Sequence, residues 1–364
     1  MAKRFFVSSS PHIKSDENTG LIMRDVIISL VPVIAASYFY FGLRSSILIV
    51  ISVASCMFFE LISQLLLKRP VTIKDMSAVL TGILFAFCLP ASVPFWFPVV
   101  GAFVAIVIVK QLFGGIGKNF VNPALLARVF MMSWLPMITN FTEPIDSGSR
   151  LSIGIQNSTA TPLALLKQGI HISGISSGKN LWETTLNATS DFLKQGQASA
   201  SFSIKDMILG IRPGCLGETA VVLLLAGGIF LLYRRIITWH IPATFIGTVA
   251  VLTFAFPPAN VDRPEYMIFE LLSGGLVLGA IYMATDYTTS PITSKGKIIY
   301  GIGCGLLTYF IRMWGSYPEG VSYAILIMNL FVWLFDKVTR PKRYGTTFSF
   351  KKSAGLPKGD KADG

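Results

Sequence analysis

Charged residues are scarce in this chain of 364 residues, because Lys, Arg, Asp and Glu together make up 14% against 52% hydrophobic residues. A single soluble core does not need that much apolar surface, so the composition excludes an ordinary soluble domain. A hydrocarbon core takes roughly 20 apolar residues per helical span. Long apolar runs recur along the chain, and the sequence therefore predicts an integral membrane protein.

Residues that hold redox metals or nucleotides are also few. The four cysteines are scattered singly and the three histidines are isolated, which argues against an iron–sulfur cluster, a zinc site or a pair of haem ligands. Neither a phosphate-cradling Walker loop nor a dinucleotide fingerprint between a strand and a helix occurs. The sequence therefore predicts no NAD site in this chain, and the cysteines are expected to be small packing residues.

Ten apolar segments are predicted to be membrane-spanning helices. In the first half these are 25–43, 45–67, 76–89, 94–113 and 121–139. In the second half they are 216–233, 238–256, 266–285, 298–313 and 320–336. The third segment is short and ends before Pro90, which predicts a half-helix.

Lys and Arg are distributed unequally between the two predicted sides of the membrane. Twenty of those in the short connections and termini fall on one side, and three fall on the other, namely Arg44, Arg263 and Arg312. Positive charge is retained in the cytoplasm, so both termini are predicted to be cytoplasmic, and the N-terminal segment has no apolar signal-peptide core. The basic tail is expected to face anionic lipid headgroups or partner subunits rather than nucleic acid.

The connection between the two halves, 140–215, is long and rich in Ser, Thr, Gly and Asn, and it is predicted to lie outside the cytoplasm. Five regions follow from this pattern. They are a cytoplasmic N-terminal segment, a first five-helix block, the extracytoplasmic loop, a second five-helix block and a basic cytoplasmic tail, at 1–24, 25–139, 140–215, 216–336 and 337–364.

The two halves share faint similarity. Leu80–Gly82 matches Leu272–Gly274, and Asn119–Leu126 aligns with Glu319–Leu326. With five spans per half, the second half must be inverted relative to the first. This is the plan of transporters in which binding sites form where short or broken helices meet. Chance similarity between apolar helices is the alternative explanation.

Several polar residues lie at or inside the predicted spans. Asn119 and Asn122 follow a glycine-rich turn, and they either contact a ligand or ion or begin a helix, with Asn122 as its cap. Asp286 either takes part in ion or proton coupling or caps a helix boundary. Glu60 lies deeper in a span and is predicted to have an unusual protonation state or a buried partner. Glu270 and Glu319 are weaker candidates because they lie nearer the predicted outer surface.

Four segments together resemble one known family. Segments 114–124, 283–293 and 318–329 occur in order, and the loop motif Asn157–Leu163 lies between the halves. They resemble the D subunit of the Rnf complex, the ion-translocating ferredoxin:NAD oxidoreductase, and its relative, the B subunit of the sodium-pumping NADH:quinone oxidoreductase. The resemblance covers about residues 20–345. It implies an all-α polytopic protein of the prokaryotic cytoplasmic membrane, with about ten transmembrane helices in two inverted five-helix repeats.

The resemblance also implies a flavin. In this family a dedicated transferase joins FMN to a threonine through a phosphoester, and the matching residue is Thr161, which is followed by Pro162 and Leu163. Ser158 and Thr159 belong to the same implied site. Thr159 stands where the family commonly has glycine, and it is an alternative attachment point.

Further flavin contacts are implied within the bundle, where the relative that reduces quinone suggests a second, non-covalent flavin such as riboflavin. The implied contact residues are Asn119, Asn122, Asp286 and Thr289. Glu60 and Asp286 are the candidates for ion or proton coupling. No catalytic residue or metal ligand is predicted.

Two functions remain open. The resemblance implies a non-autonomous subunit of a redox-driven translocase that relays electrons through FMN and couples ferredoxin and NAD chemistry to Na⁺ or H⁺ movement. Its implied partners are a second flavin-bearing extracytoplasmic subunit, iron–sulfur membrane subunits, the flavin transferase and membrane lipid. The alternative is a channel or carrier for a small polar solute or cation without a redox cofactor, because a fold alone does not separate the two.

Overall fold

The computed structural model describes residues 18–134, 138–139, 141–142, 144, 158–159, 161, 163–164, 204–210, 212–257, 263–315 and 319–340. Within these ranges the protein is mostly α-helical. The earlier helices are α1 (Thr19–Leu66), α2 (Ser77–Phe87), α3 (Phe97–Phe103), which continues as a π-helix (Val104–Gln111), and α4 (Pro123–Met131). The later helices are α5 (Ile204–Leu209), α6 (Val221–Tyr233), α7 (His240–Ala255), α8 (Arg263–Leu272), α9 (Leu276–Leu278), which continues as a π-helix (Gly279–Met283), α10 (Ser294–Trp314), α11 (Val321–Leu330) and α12 (Val332–Thr339).

Each of the ten predicted apolar segments contains helix, but few helices are long enough to cross a membrane alone. Among the described residues, α1 alone has the length and apolar composition of a span. Two further spans are counted if the two helices of a bent pair are treated as one span. These pairs are Tyr266–Leu272 with Leu276–Met283, bent by 61°, and Val321–Leu330 with Val332–Thr339, bent by 54°. The other apolar helices are shorter, so helix length does not test the predicted number of spans.

Breaks shorten or bend the helices at places that the sequence marks with glycine or proline. The chain of α1 bends at Gly42, whose φ of 68° is a left-handed value that glycine adopts without steric cost. Helix α2 has 11 residues. At about 1.5 Å per residue it is roughly 16 Å long, which is about half of a hydrocarbon core. Its length agrees with the half-helix that Pro90 predicts.

Two short strands in the long loop are not part of the all-α prediction. β1 (Phe141–Thr142) pairs antiparallel with β2 (Ser158–Thr159), and Phe141 lies opposite Thr159. Strands of two residues are too short to display an alternating pattern, so periodicity does not reveal them. Their pairing draws the segment before Thr161 back to the end of the first helical block.

Glycines let the helices approach closely. A Cβ atom on Gly301 of α10 would overlap Thr244 Oγ1 of α7, and a Cβ atom on Gly305 would lie 2.6 Å from Thr248 Cβ. This spacing of four is the arrangement with which small residues bring apolar helices into van der Waals contact. The glycines of this span therefore serve helix packing.

The two halves of the chain are packed together. Helix α1 packs against α2, α3 and α6, and α4 packs against both α2 and α11. The end of α2 also meets the segment before α6, where Leu216 and Gly217 donate backbone hydrogen bonds to the carbonyls of Leu89 and Phe87, each at 3.0 Å. The break after α2 is thus closed by backbone from the second half.

The contact between α1 and α2 can be tested at Gly82, because a Cβ atom there would lie 2.7 Å from Val53 Cα. Gly82→Ala is expected to push the helices apart and to lower the free energy of unfolding by about 1–3 kcal/mol, which is typical of overpacking. Thermal unfolding of the detergent-purified protein, followed by size-exclusion chromatography, measures the loss. Gly247→Ala is the matched control, because its Cβ atom meets nothing within 4 Å. Equal melting temperatures for the two variants would contradict the close approach.

Candidate functional site

Thr161 lies in the loop directly after β2. Its side chain is 2% exposed, and its Oγ1 accepts a hydrogen bond of 3.2 Å from the backbone N–H of Ala164. This contact is of the kind with which a threonine begins a short helical turn. The side chains of Ser158 and Thr159 fall outside what the structure describes. The backbone pairing of β2 nevertheless fixes where the chain enters Thr161.

Leu163, two residues after Thr161, is seated at the break between α8 and α9. A Cβ atom on Gly274 would lie 3.9 Å from Leu163 Cδ2 and 3.0 Å from Arg312 Nη2. The φ of Gly274 is 66°, so this position requires glycine both for its backbone and for space. The break at Gly274 therefore receives the loop that carries Thr161, and this contact of Leu163 with Gly274 is called the Leu163 seat.

Arg312 of α10 holds this break in place. Its Nη1 donates to the backbone carbonyl of Glu270 and to Glu270 Oε2, both at 2.7 Å, and its Nη2 donates to the carbonyl of Ser273 at 3.0 Å. Arg312 and Glu270 are 5% and 3% exposed. Carbonyls released by a helix break have no water to bind in an apolar bundle, so a buried arginine supplies their hydrogen bonds.

Arg44 plays the corresponding part in the first half. Its Nε donates to the carbonyl of Ala91 at 2.6 Å and its Nη2 donates to the carbonyl of Val93 at 2.9 Å. The guanidinium also lies over the ring of Phe95, 4.9 Å from its centroid. In the sequence Arg44 and Arg312 indicate only topology, whereas the structure gives each a role at a helix break.

A second group of buried charges, the interhalf cluster, lies between the halves and consists of Arg128, Arg212, Cys215, Glu218 and Glu319. Arg128 of α4 forms an ion pair with Glu319, which precedes α11, and Arg212 Nη2 donates to the backbone carbonyl of Glu218 at 2.8 Å. Cys215 Sγ and one carboxylate oxygen of each glutamate lie within 4.8 Å of one another. All five residues are buried.

The predicted contacts Asn119, Asn122 and Asp286 come together around a cavity at the other ends of α2 and α4, the inner cavity. Its volume is about 100 Å³, and Lys110 and Ser77 also line it. None of the described residues of the Thr161 loop reaches it. The sequence-predicted residues therefore separate into two places, and Thr161 is not grouped with the asparagines.

Asn122 is the cap of α4, as one of the two sequence interpretations states. Its Oδ1 accepts from the N–H groups of Ala124 and Leu125 at 3.0 and 3.3 Å, with Pro123 at the first helical position. Its Nδ2 also donates to the carbonyl of Met283 at 3.1 Å, where the π-helix after α9 ends. Asn122 thereby links both halves. Asn119 is buried, and its Nδ2 donates to the carbonyl of Val121 at 3.3 Å.

Asp286 organises the turn that follows this π-helix. Its Oδ2 accepts from Thr288 Oγ1 at 3.0 Å and from Thr289 Oγ1 at 3.3 Å. Burial raises the pKa of the Asp286 carboxyl above its ordinary value, although these hydrogen bonds act in the opposite direction. Thr289 is buried and supports Asp286 without lining the cavity.

Glu60 has a buried partner, which is one of the two alternatives that the sequence leaves open. Its Oε1 lies 2.7 Å from Lys110 Nζ and accepts hydrogen bonds of 3.2 Å from Gln64 and Gln111. Lys110 Nζ also donates to Ser77 Oγ at 2.7 Å, so the ion pair borders the inner cavity. Every one of these contacts of Glu60 is made by Oε1, whereas Glu60 Oε2 is buried without a hydrogen-bond partner.

The sequence analysis does not predict the interhalf cluster, and it ranks Glu270 and Glu319 only as weaker candidates for functional residues. Both glutamates were expected near the outer surface, whereas both are buried in ion pairs with arginines. Arg128 within an apolar span was a usable signal, because a charge in such a segment needs a partner. The identity of that partner, 191 residues away along the chain, is a property of the fold.

The helices are apolar and pack through glycines, some of them are interrupted by breaks, and their buried charges are paired. These features define the protein as a helical membrane protein. Residues 6–345 match the model of the NQR2, RnfD, RnfE family, and the chain belongs to that family. The resemblance stated from the sequence motifs is thereby confirmed. Curated relatives that match along nearly the whole chain are D subunits of ion-translocating oxidoreductase complexes.

Three relatives illustrate the similarity. The chain is 42% identical over 350 residues to the D subunit of the Na⁺-translocating ferredoxin:NAD⁺ oxidoreductase complex of Acetobacterium woodii, covering 96% of this chain and 97% of the relative. It is 40% identical over 343 residues to the D subunit of the proton-translocating ferredoxin:NAD⁺ oxidoreductase complex of Clostridium ljungdahlii, with coverages of 94% and 96%. It is 33% identical over 352 residues to the D subunit of the ion-translocating oxidoreductase complex of Aliivibrio salmonicida, with coverages of 94% and 98%. These relatives are subunits of redox-driven translocases.

The ion pair of Glu60 and Lys110 gives a stability prediction. Lys110→Met removes the positive partner and leaves a buried carboxylate, which is expected to cost about 3–5 kcal/mol of unfolding free energy. The double variant Glu60→Gln/Lys110→Met removes both charges and is expected to recover most of that loss. Thermal unfolding of the wild-type, single-variant and double-variant proteins measures the difference. If the double variant is as unstable as Lys110→Met, the loss does not arise from the unpaired charge.

Proposed function

We propose that this chain is the membrane flavoprotein subunit of an Rnf-type ion-translocating electron transport complex. FMN is bound covalently through a phosphoester at Thr161, and the subunit relays electrons while the complex couples ferredoxin and NAD chemistry to Na⁺ or H⁺ translocation. The observation that carries the proposal is the seating of the Thr161 loop against a helix break that is surrounded by buried charge. Family membership supports the same conclusion.

The side chains around the break fit an anionic, redox-active group. Arg312 lies beside Gly274. The buried guanidinium of Arg212 is close enough to interact electrostatically with that of Arg312. The Nε and Nη1 atoms of Arg212, the Nε atom of Arg312 and Ser273 Oγ are buried without a hydrogen-bond partner. Buried donors of this kind are rare in native proteins and suit the oxygen atoms of an anion or of a flavin ring.

In the proposed relay the protein holds, shields and electrostatically tunes the group attached to Thr161. Bound FMN would supply one-electron chemistry through its own ring system. The chain fixes the attachment point through β2 and the Leu163 seat, and it keeps water away because the residues around the break are buried. Arg212 and Arg312 place positive charge where an added electron raises negative charge, and this attraction is strong at low dielectric.

A second flavin fits less well. The inner cavity offers Asn119, Asp286 and apolar walls, which suit the edge of an isoalloxazine ring. Its volume of about 100 Å³ is below the range of roughly 300–1,000 Å³ that is usual for cofactor pockets. We therefore assign no electron-transfer step to a riboflavin there, and Asn119, Asn122, Asp286 and Thr289 remain candidates for its contacts.

The proposal includes the membrane arrangement. Ten spans form two inverted five-helix repeats, 25–139 and 216–336, with the loop 140–215 outside the cytoplasm and residues 1–24 and 337–364 inside. Half-length α2 and the broken pair of α8 and α9 support this plan, because broken helices meet at the centre of inverted-repeat transporters. The unequal distribution of Lys and Arg supports the orientation.

The protein would work only within a complex. Its proposed partners are a second flavin-bearing extracytoplasmic subunit, iron–sulfur membrane subunits and the flavin transferase. One relative is named for Na⁺ and another for protons, so the transported ion is left as an outcome of experiment. A channel or carrier without a cofactor is the competing function, and the buried ion pairs alone would suit it equally well.

Thr161 provides the decisive test. The wild-type chain, purified with its complex and separated by denaturing electrophoresis, is expected to show flavin fluorescence under ultraviolet light. Thr161→Ala is expected to abolish that fluorescence because no oxygen remains to form the phosphoester. Thr159→Ala, two residues away, is the matched control and is expected to retain it.

Mass spectrometry of the intact chain provides the second measurement. The wild-type protein is expected to be heavier than its amino acids by one FMN minus one water, and Thr161→Ala is expected to have the mass of the polypeptide. A wild-type chain without added mass would favour the channel or carrier. Added mass that is lost in Thr159→Ala and kept in Thr161→Ala would move the attachment to Thr159.

A further inference from the structure

Two carboxylate oxygens of the interhalf cluster have no partner although they are buried. Glu218 Oε2 and Glu319 Oε1 lack a hydrogen bond, and the two residues are 3% and 7% exposed. The neighbouring hydroxyl of Thr219 is likewise buried and unpartnered. Leaving a charged oxygen unsatisfied in an apolar interior is costly, so these atoms indicate a ligand site.

A small cavity adjoins the cluster. Its volume is about 10 Å³, and Glu319, Arg128 and Ser322 contribute to its wall together with Gly275. This is close to the lower limit of space for one water-sized particle. The carboxylate of Glu218 reaches the same place, because its Oε2 would lie 3.9 Å from a Cβ atom on Gly275. The space suits a dehydrated monovalent cation or the proton of a carboxylic acid.

The cavity lies next to the seat of the Thr161 loop. Leu163 contacts the position of Gly274, and Glu218 contacts the position of Gly275, each at 3.9 Å from the Cβ atom that the glycine lacks. Consecutive Cα atoms are about 3.8 Å apart, so the two contacts flank a single helix break. The Glu218 carboxylate and the loop that carries Thr161 therefore meet the same helix break, and one oxygen of Glu319 lies within 4.8 Å of one oxygen of Glu218.

The charges of the cluster balance before any electron arrives. Arg128 and Arg212 supply two positive charges, which Glu218 and Glu319 balance when both carboxyl groups are ionised, while Arg312 is already paired with Glu270. The thiols of Cys215, within the cluster, and Cys88, beside it, also face these charges. A cation added to this neutral set is opposed by the two arginines. An electron nearby offsets that opposition, because charges interact strongly at low dielectric.

We propose that Glu218 and Glu319 form a binding site for one positive charge, Na⁺ or H⁺, that is filled when the flavin at Thr161 accepts an electron. The inference rests on the proposed function, since it needs the flavin. The electron comes from a reduced redox partner and the cation comes from water. Net charge therefore stays constant. Na⁺ binds without making a covalent bond, whereas a proton leaves hydronium, so one O–H bond of hydronium breaks as the O–H bond of the carboxylic acid forms.

Spectroelectrochemical titration of the FMN-bearing complex tests the site. The midpoint potential of the FMN attached to this chain is expected to rise by about 59 mV for each tenfold increase in the concentration of the bound cation, if one cation accompanies one electron. Titrations at several Na⁺ concentrations at fixed pH, and at several pH values at fixed Na⁺, distinguish the two cations. A potential that depends on neither overturns the proposal.

Variants assign the dependence to this cluster. Glu218→Gln and Glu319→Gln keep the side-chain shape and are each expected to abolish the slope. The flavin's own protonation would produce a pH slope that both variants retain, and that result also overturns the proposal. Asp25→Asn is the matched control, because Asp25 is a buried carboxylate whose partner is Arg234 rather than the cluster, and it is expected to keep the wild-type slope.

Two further variants keep the test decisive. Glu60→Gln examines the competing carboxylate, and loss of the slope there with retention in Glu218→Gln would assign the site to Glu60. Glu319→Asp serves if the glutamine variants do not fold, because it retains the charge but withdraws it from the cavity. It is expected to require a several-fold higher cation concentration, and an unchanged titration would contradict the site.

The flavin separates this inference from the proposed function. A chain without flavin fluorescence refutes the electron relay itself. A chain can carry flavin whose midpoint potential depends on neither cation, or whose dependence on the cation is kept in both glutamine variants. Either result refutes only the cation site and leaves the electron relay standing.

Discussion

The hydrogen bonding of broken helices is the constraint on which this structure depends. An apolar bundle supplies no water to the carbonyls that a break releases, and each unsatisfied group costs several kcal/mol. Arg44 binds carbonyls after α2, and Arg312 binds carbonyls at the end of α8. These two arginines satisfy the backbone where α2 and α8 end inside the bundle.

Ion pairing within the bundle follows from the same constraint. A charge buried in a low-dielectric interior is tolerated only with a close partner, and Glu60 with Lys110, Glu270 with Arg312 and Glu319 with Arg128 each satisfy this condition. Two of these pairs stay within one half of the chain. The pair of Arg128 and Glu319 joins α4 to the start of α11, so it contributes directly to the contact between the halves. Among the described residues, unpartnered buried carboxylate oxygens remain on Glu60, Glu218 and Glu319, beside the inner cavity or where the halves meet.

The Thr161 loop connects this framework to the proposed chemistry. A flexible loop by itself would hold a cofactor without orienting it, whereas β2 and the Leu163 seat fix the chain on both sides of the threonine. The seat lies at the break that Arg312 maintains and beside the interhalf cluster. In the proposed relay the electron is held by the group at Thr161 and the cation that balances it is held by the interhalf cluster. Both lie in the region of the break that Arg312 holds. The inner cavity around Asn122 and Asp286 lies apart from it and is joined to it through α4 and α9.

The sequence by itself determined the membrane class, the helical segments, the family and the residues that begin or interrupt helices. These features are local, because apolar runs, Asn122 before Pro123, and glycines such as Gly42, whose φ is 68°, act through neighbouring backbone and composition. It also indicated that Glu60 has either an unusual protonation state or a buried partner. Only the tertiary structure decided which partner each charge has, that Glu319 is buried, and that Glu218 reaches the break beside Leu163. Those contacts join residues far apart in the chain, and their formation depends on how α2, α4, α9 and α11 pack, which no local pattern encodes.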